Sequence, residues 1–197
     1  ADMGTGKSKI IIDNIAILYD RGKINAALIV APKSIIGNWE KGEIPAHMPE
    51  HIKYHTVLWS PNTTKKQEAL LKPLFLLMDE LIIFIINVEA LSTQRGMDIT
   101  QRFLLSHQTF MVIDESTTIK NPKAIRTKNI IKMKDRAKYR RILTGMPVTK
   151  TPLDLYSQCY FLDPYLLDFS SYYAFKSRYT ISRKVHLPGR HSFDQVL

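Results

Sequence analysis

A single cysteine, Cys159, rules out any internal disulfide and makes a reducing compartment the expected setting. Long apolar runs are missing as well. The most apolar stretch, Leu81 to Ile86, is far shorter than the roughly 20 residues a membrane helix needs. The chain opens polar and glycine-rich, without the apolar core of a secretion signal. With only 8 glycines and 10 prolines in 197 residues, a collagen-like composition is excluded. What is present is ordinary for a globular chain: 45% apolar and 23% charged residues, which excludes a disordered one. The length suits one domain able to hide about 70% of its unfolded surface.

Acidic residues are scarce in one place. Residues 1–115 carry 12 basic and 13 acidic side chains, and residues 142–197 carry 6 and 4. Residues 116–141 carry 10 basic side chains and one acid, so nearly all of the +10 net charge falls in 26 residues. Such a block points to a polyanionic partner such as nucleic acid, with a solvated basic helix face as the plain alternative. Its only aromatic residue is Tyr139, which favours backbone tracking over base stacking.

Short apolar runs alternate with helical patterns. Strands are expected at Ala26–Val30, Tyr54–Leu58, Leu81–Ile86, Phe110–Ile113 and Arg140–Leu143. Helices are expected at Lys7–Tyr19, Ser34–Ile44, Lys65–Met78, Asp98–Leu105, Pro122–Lys134, Leu153–Leu162 and Tyr172–Tyr179. Strands apolar along their whole length indicate a parallel sheet covered on both faces, hence a doubly wound α/β domain. The tail from Ser182 reads as basic and irregular, with Pro188-Gly189 inside it.

Residues 1–8 read Ala-Asp-Met-Gly-Thr-Gly-Lys-Ser, close to the phosphate-loop pattern G-x-x-x-x-G-K-[ST] with Ala1 at the first glycine. Gly4, Thr5 and Gly6 would turn backbone N–H groups inward as an anion nest at the head of a helix. Lys7 would reach the β- and γ-phosphates, and the Ser8 hydroxyl would bind Mg²⁺. The strand that normally feeds such a loop is absent from the sequence, so the domain is expected to be incomplete at its N-terminus. After the apolar run 110–113 comes Asp114-Glu115. Asp114 would sit at the strand's carboxyl edge to hold Mg²⁺, and Glu115 would polarise a water. Surface histidines are the reading for His47, His51 and His55, core packing for Tyr172, Tyr173, Phe175 and Tyr179, and a core thiol for Cys159.

These motifs, with Leu143-Thr144-Gly145, resemble the first RecA-like lobe of superfamily-two helicases and translocases. Closer features resemble the Swi/Snf-type branch: Asp2–Ser8, Asp114–Thr117 followed by Lys120-Asn121, Leu143–Val148 and Leu153–Pro164. Ala31-Pro32-Lys33 and Trp39 match that branch's next motif, where a loop meets the DNA backbone. Thr117 stands where the branch has His, which puts coupling between lobes in doubt; Ser8 replaces the commoner Thr.

The resemblance implies a P-loop NTPase fold over residues 1–180, with residues 181–197 leading as a basic tail or linker to a second RecA-like lobe. It implies ATP and Mg²⁺ as cofactors and a DNA-dependent ATPase that translocates on duplex DNA. A strand-separating DNA or RNA helicase or a restriction-enzyme motor is the alternative, and a non-catalytic nucleic-acid-binding module a third. Thr144 and Gly145 would couple the γ-phosphate site to the DNA side, with the Thr144 hydroxyl on the Asp114–Glu115 carboxylates. Nucleic-acid contacts are expected from Lys33, Lys120, Lys123, Arg126 and Lys128, and near Asn87–Glu89. Without a second lobe's arginine finger, worth roughly 10³–10⁵ in rate, these residues alone would hydrolyse ATP slowly. The expected setting is cytoplasmic or nuclear, with no membrane partner and a monomer by default.

Overall fold

The computed structural model describes residues 5–61, 64–76, 79–185 and 193–196. Five parallel strands form its main sheet: β1 (Ala26–Ala31), β2 (Tyr54–Leu58), β3 (Leu81–Asn87), β4 (Thr109–Ile113) and β5 (Tyr139–Ile142). Their order is β2-β3-β1-β4-β5, and every pairing is parallel. The chain first builds to one side of β1 and then to the other. The topological switch therefore falls between β1 and β4, where ligands bind in open α/β sheets.

The central strands are apolar throughout because both of their faces are covered. Leu28, Val30, Phe84, Ile86, Met111 and Ile113 point into one core, and Ala27, Ile29, Ile83, Ile85, Phe110 and Val112 into the other. α1 (Lys7–Asp20) packs Ile11, Ile12 and Ile15 on the second face. It shares that face with the helical stretch α2 (Ile36–Asn38), a π-helical turn (Trp39–Glu43) and α3 (Ile44–His47). The first face is covered by α5 (Gln94–Ser106), α6 (Ile125–Met133) and α7 (Asp154–Leu162), through Phe103, Ile130 and Phe161. A third, smaller cluster joins α7 to α8 (Tyr172–Tyr179) through Leu153, Tyr156 and Phe175. Tyr172 packs against it, whereas Tyr173 and Tyr179 are exposed.

Several boundaries differ from expectation. α4 (Lys65–Leu71) gives way to a 3₁₀ turn at Lys72–Phe75, because Pro73 cannot donate the next helical bond. α6 starts at Ile125, since Pro122 lies in the turn before it, and ends at Met133. Lys134–Arg136 form a separate 3₁₀ turn, so Lys134 and Lys138 do not share the helix face a longer α6 would give them. In place of an irregular tail, β6 (Ser182–Val185) and β7 (Phe193–Val196) pair as antiparallel strands, Ser182 opposite Val196 and Val185 opposite Phe193.

Gly96 sets how closely α5 approaches the Val88–Ser92 turn. A Cβ there would lie 2.2 Å from the Ala90 carbonyl oxygen, and the Gly96 amide caps onto Thr93 Oγ1 at 3.1 Å. Gly96→Ala is expected to destabilise the fold by about 1–3 kcal/mol, the overpacking cost outweighing the better helix propensity of alanine. Urea unfolding of the two proteins checks this.

Candidate nucleotide and nucleic-acid site

The N-terminal residues of α1 form one wall of the site. Gly6 has φ 72° and ψ 27°, a left-handed conformation that glycine adopts without strain, and its carbonyl accepts the Ile10 amide at 3.1 Å to start the helix. Lys7 and Ser8 follow in the first turn, both half-buried. Thr5 and Gly6 are exposed ahead of them, and Gly4 lies outside the described residues.

Asp114 is brought to the same place by β4. Its amide donates to the Val30 carbonyl at 2.8 Å, continuing the β1–β4 ladder past Ile113 to the carboxyl edge at the switch point. Both carboxylate oxygens are oriented. Oδ1 accepts the Glu115 amide at 2.9 Å, and Oδ2 accepts the Trp39 indole N–H at 2.8 Å. Burial raises the Asp114 pKa, while Trp39, the Glu115 amide and the Lys7 ammonium pull against that rise and the Glu43 carboxylate adds to it. Lys7, Trp39 and Glu43 thus all act on Asp114 at the switch point.

Glu115 has φ 49° and ψ 61°, a left-handed conformation costly for a side chain of its kind. The turn that follows, Ser116–Ile119, is anchored by the Ser116 amide donating to the Leu143 carbonyl at 2.9 Å. This bond places Thr144 and Gly145, at the end of β5, beside the Asp114–Glu115 turn. The Thr144 hydroxyl oxygen accepts the Met146 amide at 3.2 Å, a local turn bond that the sequence did not indicate.

Trp39 lies elsewhere than its motif suggested. Expected beside a DNA-contacting loop, it is 1% exposed and packed in the core with Ile29, Ile44 and Val112. Its signal was a lone tryptophan in a helical stretch, which says nothing of the carboxylate 75 residues on.

The basic residues do not form one surface. Lys33, Lys123 and Lys128 are exposed. Lys33 lines a cleft with Trp59, Pro61, Asn87, Glu89, Ala90 and Thr93, at the carboxyl ends of β1, β2 and β3. α6 reaches this region, since Asn129 Nδ2 donates to the Leu91 carbonyl at 2.8 Å. Lys120 and Arg126 serve the turn between β4 and α6. Lys120 bonds Thr149 Oγ1 and lies 3.6 Å from Asp154, and Arg126 Nε donates to the Thr118 carbonyl at 2.8 Å.

Farther along, Lys134 is 3% exposed on its side chain and pairs with Asp135 at 2.8 Å. Arg140 caps α7 by donating to the Leu162 carbonyl from Nε and Nη2, at 3.1 and 3.0 Å. Lys138, just before β5, lies at the opposite edge of the sheet and bonds Gln108 at 2.7 Å. Of the histidines read as surface, His51 is exposed and pairs with Asp20 at 3.1 Å, whereas His47, 3.7 Å from Glu43, and His55, in β2, are half-buried.

Asp154 closes the loop between β5 and α7. Burial alone would raise its pKa, but the Thr149 hydroxyl and amide, the Lys150 amide and the Lys120 ammonium outweigh it and hold the carboxyl at about 2. A depressed folded-state pKa stabilises the fold above the carboxyl's ordinary value near 3.9, and that gain is lost as pH falls through about 2. Asp154→Asn is expected to cost about 1–2 kcal/mol at pH 7, with the gap to wild type closing between pH 4 and 2 in denaturant unfolding. Trp39→Phe keeps an aromatic ring in the core but a smaller one, and removes the N–H on Asp114. It is expected to cost about 1.5–3 kcal/mol in the same measurement and to raise the Asp114 pKa further by NMR titration.

The family model of the SNF2-related domain matches residues 1–190. Similar proteins include the ATP-dependent helicase fft1 of Schizosaccharomyces pombe, 27% identical over 85% of this chain and 16% of that protein. The chromatin-remodeling ATPase INO80 of the same yeast is 30% identical over 85% of this chain and 10% of its own length. This chain therefore spans well under a fifth of either relative. Among solved structures, the Sulfolobus solfataricus SWI2/SNF2 ATPase core in complex with dsDNA superposes with a TM-score of 0.65 at 25% identity, covering 89% of this chain and 32% of that one. The SWI2/SNF2 ATPase core domain from the same organism gives 0.63 at 26% identity. With the fold, the match across 1–190 and these neighbours in agreement, the chain belongs to the SNF2-related family and has its RecA-like P-loop fold.

Proposed function

We propose that this chain is the first motor lobe of an ATP-driven translocase acting on nucleic acid, with duplex DNA favoured. The observation that carries the proposal is the sharing of one sheet edge. The Lys7–Asp114 constellation and the Lys33–Asn87 cleft open at the carboxyl ends of neighbouring strands, with β1 contributing to both. The structural neighbour in complex with dsDNA supports the choice of duplex.

ATP is the nucleotide implied by the names of the relatives. The donor set fits Mg²⁺, a hard cation that takes oxygen ligands from few protein groups and keeps the rest for water and phosphate. Ser8 Oγ and the Asp114 carboxylate would supply those oxygens. When bound, the metal neutralises phosphate charge.

The remaining chemistry falls to the chain's own groups. The N–H groups around Gly6 and the Lys7 ammonium would hold the phosphates. Glu115 would orient the attacking water and accept its proton. Thr144 and Gly145 would carry the state of this site toward the nucleic-acid side.

Backbone contacts would come from Lys33, Lys123 and Lys128, and sequence-independent binding follows from contacts to phosphate alone. Lys120 and Arg126 would hold the turn that leads to Lys123 and Lys128. Residues 1–180 would form this lobe, and residues 181–197, which include the β6–β7 hairpin, would lead toward a second RecA-like lobe. The setting would be intracellular, cytoplasmic or nuclear. Among the described residues no helix is long and apolar enough to cross a membrane.

The test uses the full-length protein that carries this chain. ATP turnover is expected to rise with duplex DNA, and less with single strands or RNA. Lys7→Ala should abolish nucleotide binding, and Glu115→Gln should keep binding but stop turnover. Lys123→Glu with Lys128→Glu should weaken duplex affinity equally for unrelated sequences and lower the salt slope by about 1 per lost phosphate contact. Stimulation by single strands alone would instead indicate strand separation.

A further inference from the structure

Gln158 lies in the middle of α7, 1% exposed, where an apolar residue of similar size would pack without needing partners. Its carboxamide is engaged on both ends. Nε2 donates to the Pro147 and Asp154 carbonyls, each at 2.7 Å, and Oε1 accepts the Ser116 hydroxyl at 2.5 Å. Ser116 is 0% exposed and directly follows Glu115.

The Asp154 carbonyl is one helical turn back, so that bond only fixes the rotamer. The other two bridge elements far apart in sequence. Together with the Ser116 amide on Leu143, they close a ring around residues 143–147. One end of that loop hangs from the backbone of Ser116 and the other, through Gln158, from its side chain. Thr144, Gly145 and Met146 lie between, with Met146 64% exposed.

Glu115 is held from both sides. Its own amide is fixed on Asp114, and its successor Ser116 is fixed on the loop and on Gln158. Its left-handed backbone persists only where its surroundings impose it. A shift of the 144–147 loop must therefore either break these bonds or carry Ser116 with it and re-aim Glu115.

We propose that Gln158 and Ser116 form a positioning pair that couples the 144–147 loop to the Glu115 carboxylate, so that nucleic-acid binding sets the rate of hydrolysis. This rests on the motor reading above. The bond from Lys120 to Thr149, with Asp154 beside it, is a second tether between the same segments and keeps the loop attached when the first is removed.

The experiment compares full-length wild type, Ser116→Ala, Gln158→Leu and the double variant. Gln158→Leu alone strands a buried hydroxyl and is expected to lower the unfolding temperature. The double variant removes both of those polar groups and is expected to recover most of that loss. In the double variant, KM for ATP and duplex affinity should match wild type, while the ratio of duplex-stimulated to basal turnover falls at least tenfold. Ser116→Ala, the smallest change, should lose stimulation severalfold and covers the case in which the leucine variants do not fold.

A stable double variant, or a folded Ser116→Ala protein, that keeps full stimulation overturns the coupling role and leaves the motor reading intact. A wild type that no nucleic acid stimulates overturns the motor reading, and the coupling role with it.

Discussion

A parallel sheet buried on both faces sends the connection after every strand out of the same edge. That constraint orders the rest of the molecule. The apolar runs of β1, β3 and β4 are what allow helices to lie on both sides, and in a parallel sheet each run must then return across a face. The residues just past each strand therefore converge: Lys33 after β1, Asn87 at the end of β3, Asp114 after β4 and Thr144 after β5. Chemistry-bearing residues spread over more than a hundred positions become neighbours with no special device beyond strand direction.

Charge is organised by the same geometry. The basic segment after β4 looks uniform in sequence, but it starts at the carboxyl edge, runs along α6 and finishes before β5 at the opposite edge. Its members thus meet different fates. Lys123 and Lys128 face solvent, Lys120 and Arg126 secure a turn, Lys134 is buried against Asp135, and Arg140 caps α7. Arg140 can sit in a strand because β5 is an edge whose neighbour on one side is β4 alone, leaving room for the guanidinium to reach two carbonyls.

The fold was legible where local pattern and tertiary burial agree. β1, β3 and β4 are continuous apolar runs, and α1 starts at Lys7, where the sequence places the head of a helix. β5 was faint, since two of its four residues are arginines and its strand character comes from pairing with β4. Within the site, Asp114 was legible because an acid directly after a buried strand has few other places to go. The role of Trp39 was not, because hydrogen bonds between residues 75 apart leave no periodicity. The Ser116–Gln158 bond was hidden for the same reason: each residue alone reads as an ordinary small or polar side chain.

The π-helical turn at Trp39–Glu43 carries one residue more than an α-helical path of the same length would need. That surplus sets the rotation at which Trp39 and Glu43 present themselves to Asp114. A residue added to a regular α-helix would turn everything after it by about 100°. The wider π turn takes up that residue locally instead, so Ile44 of α3 keeps its place in the core under the sheet while the Trp39 indole stays on the Asp114 carboxylate.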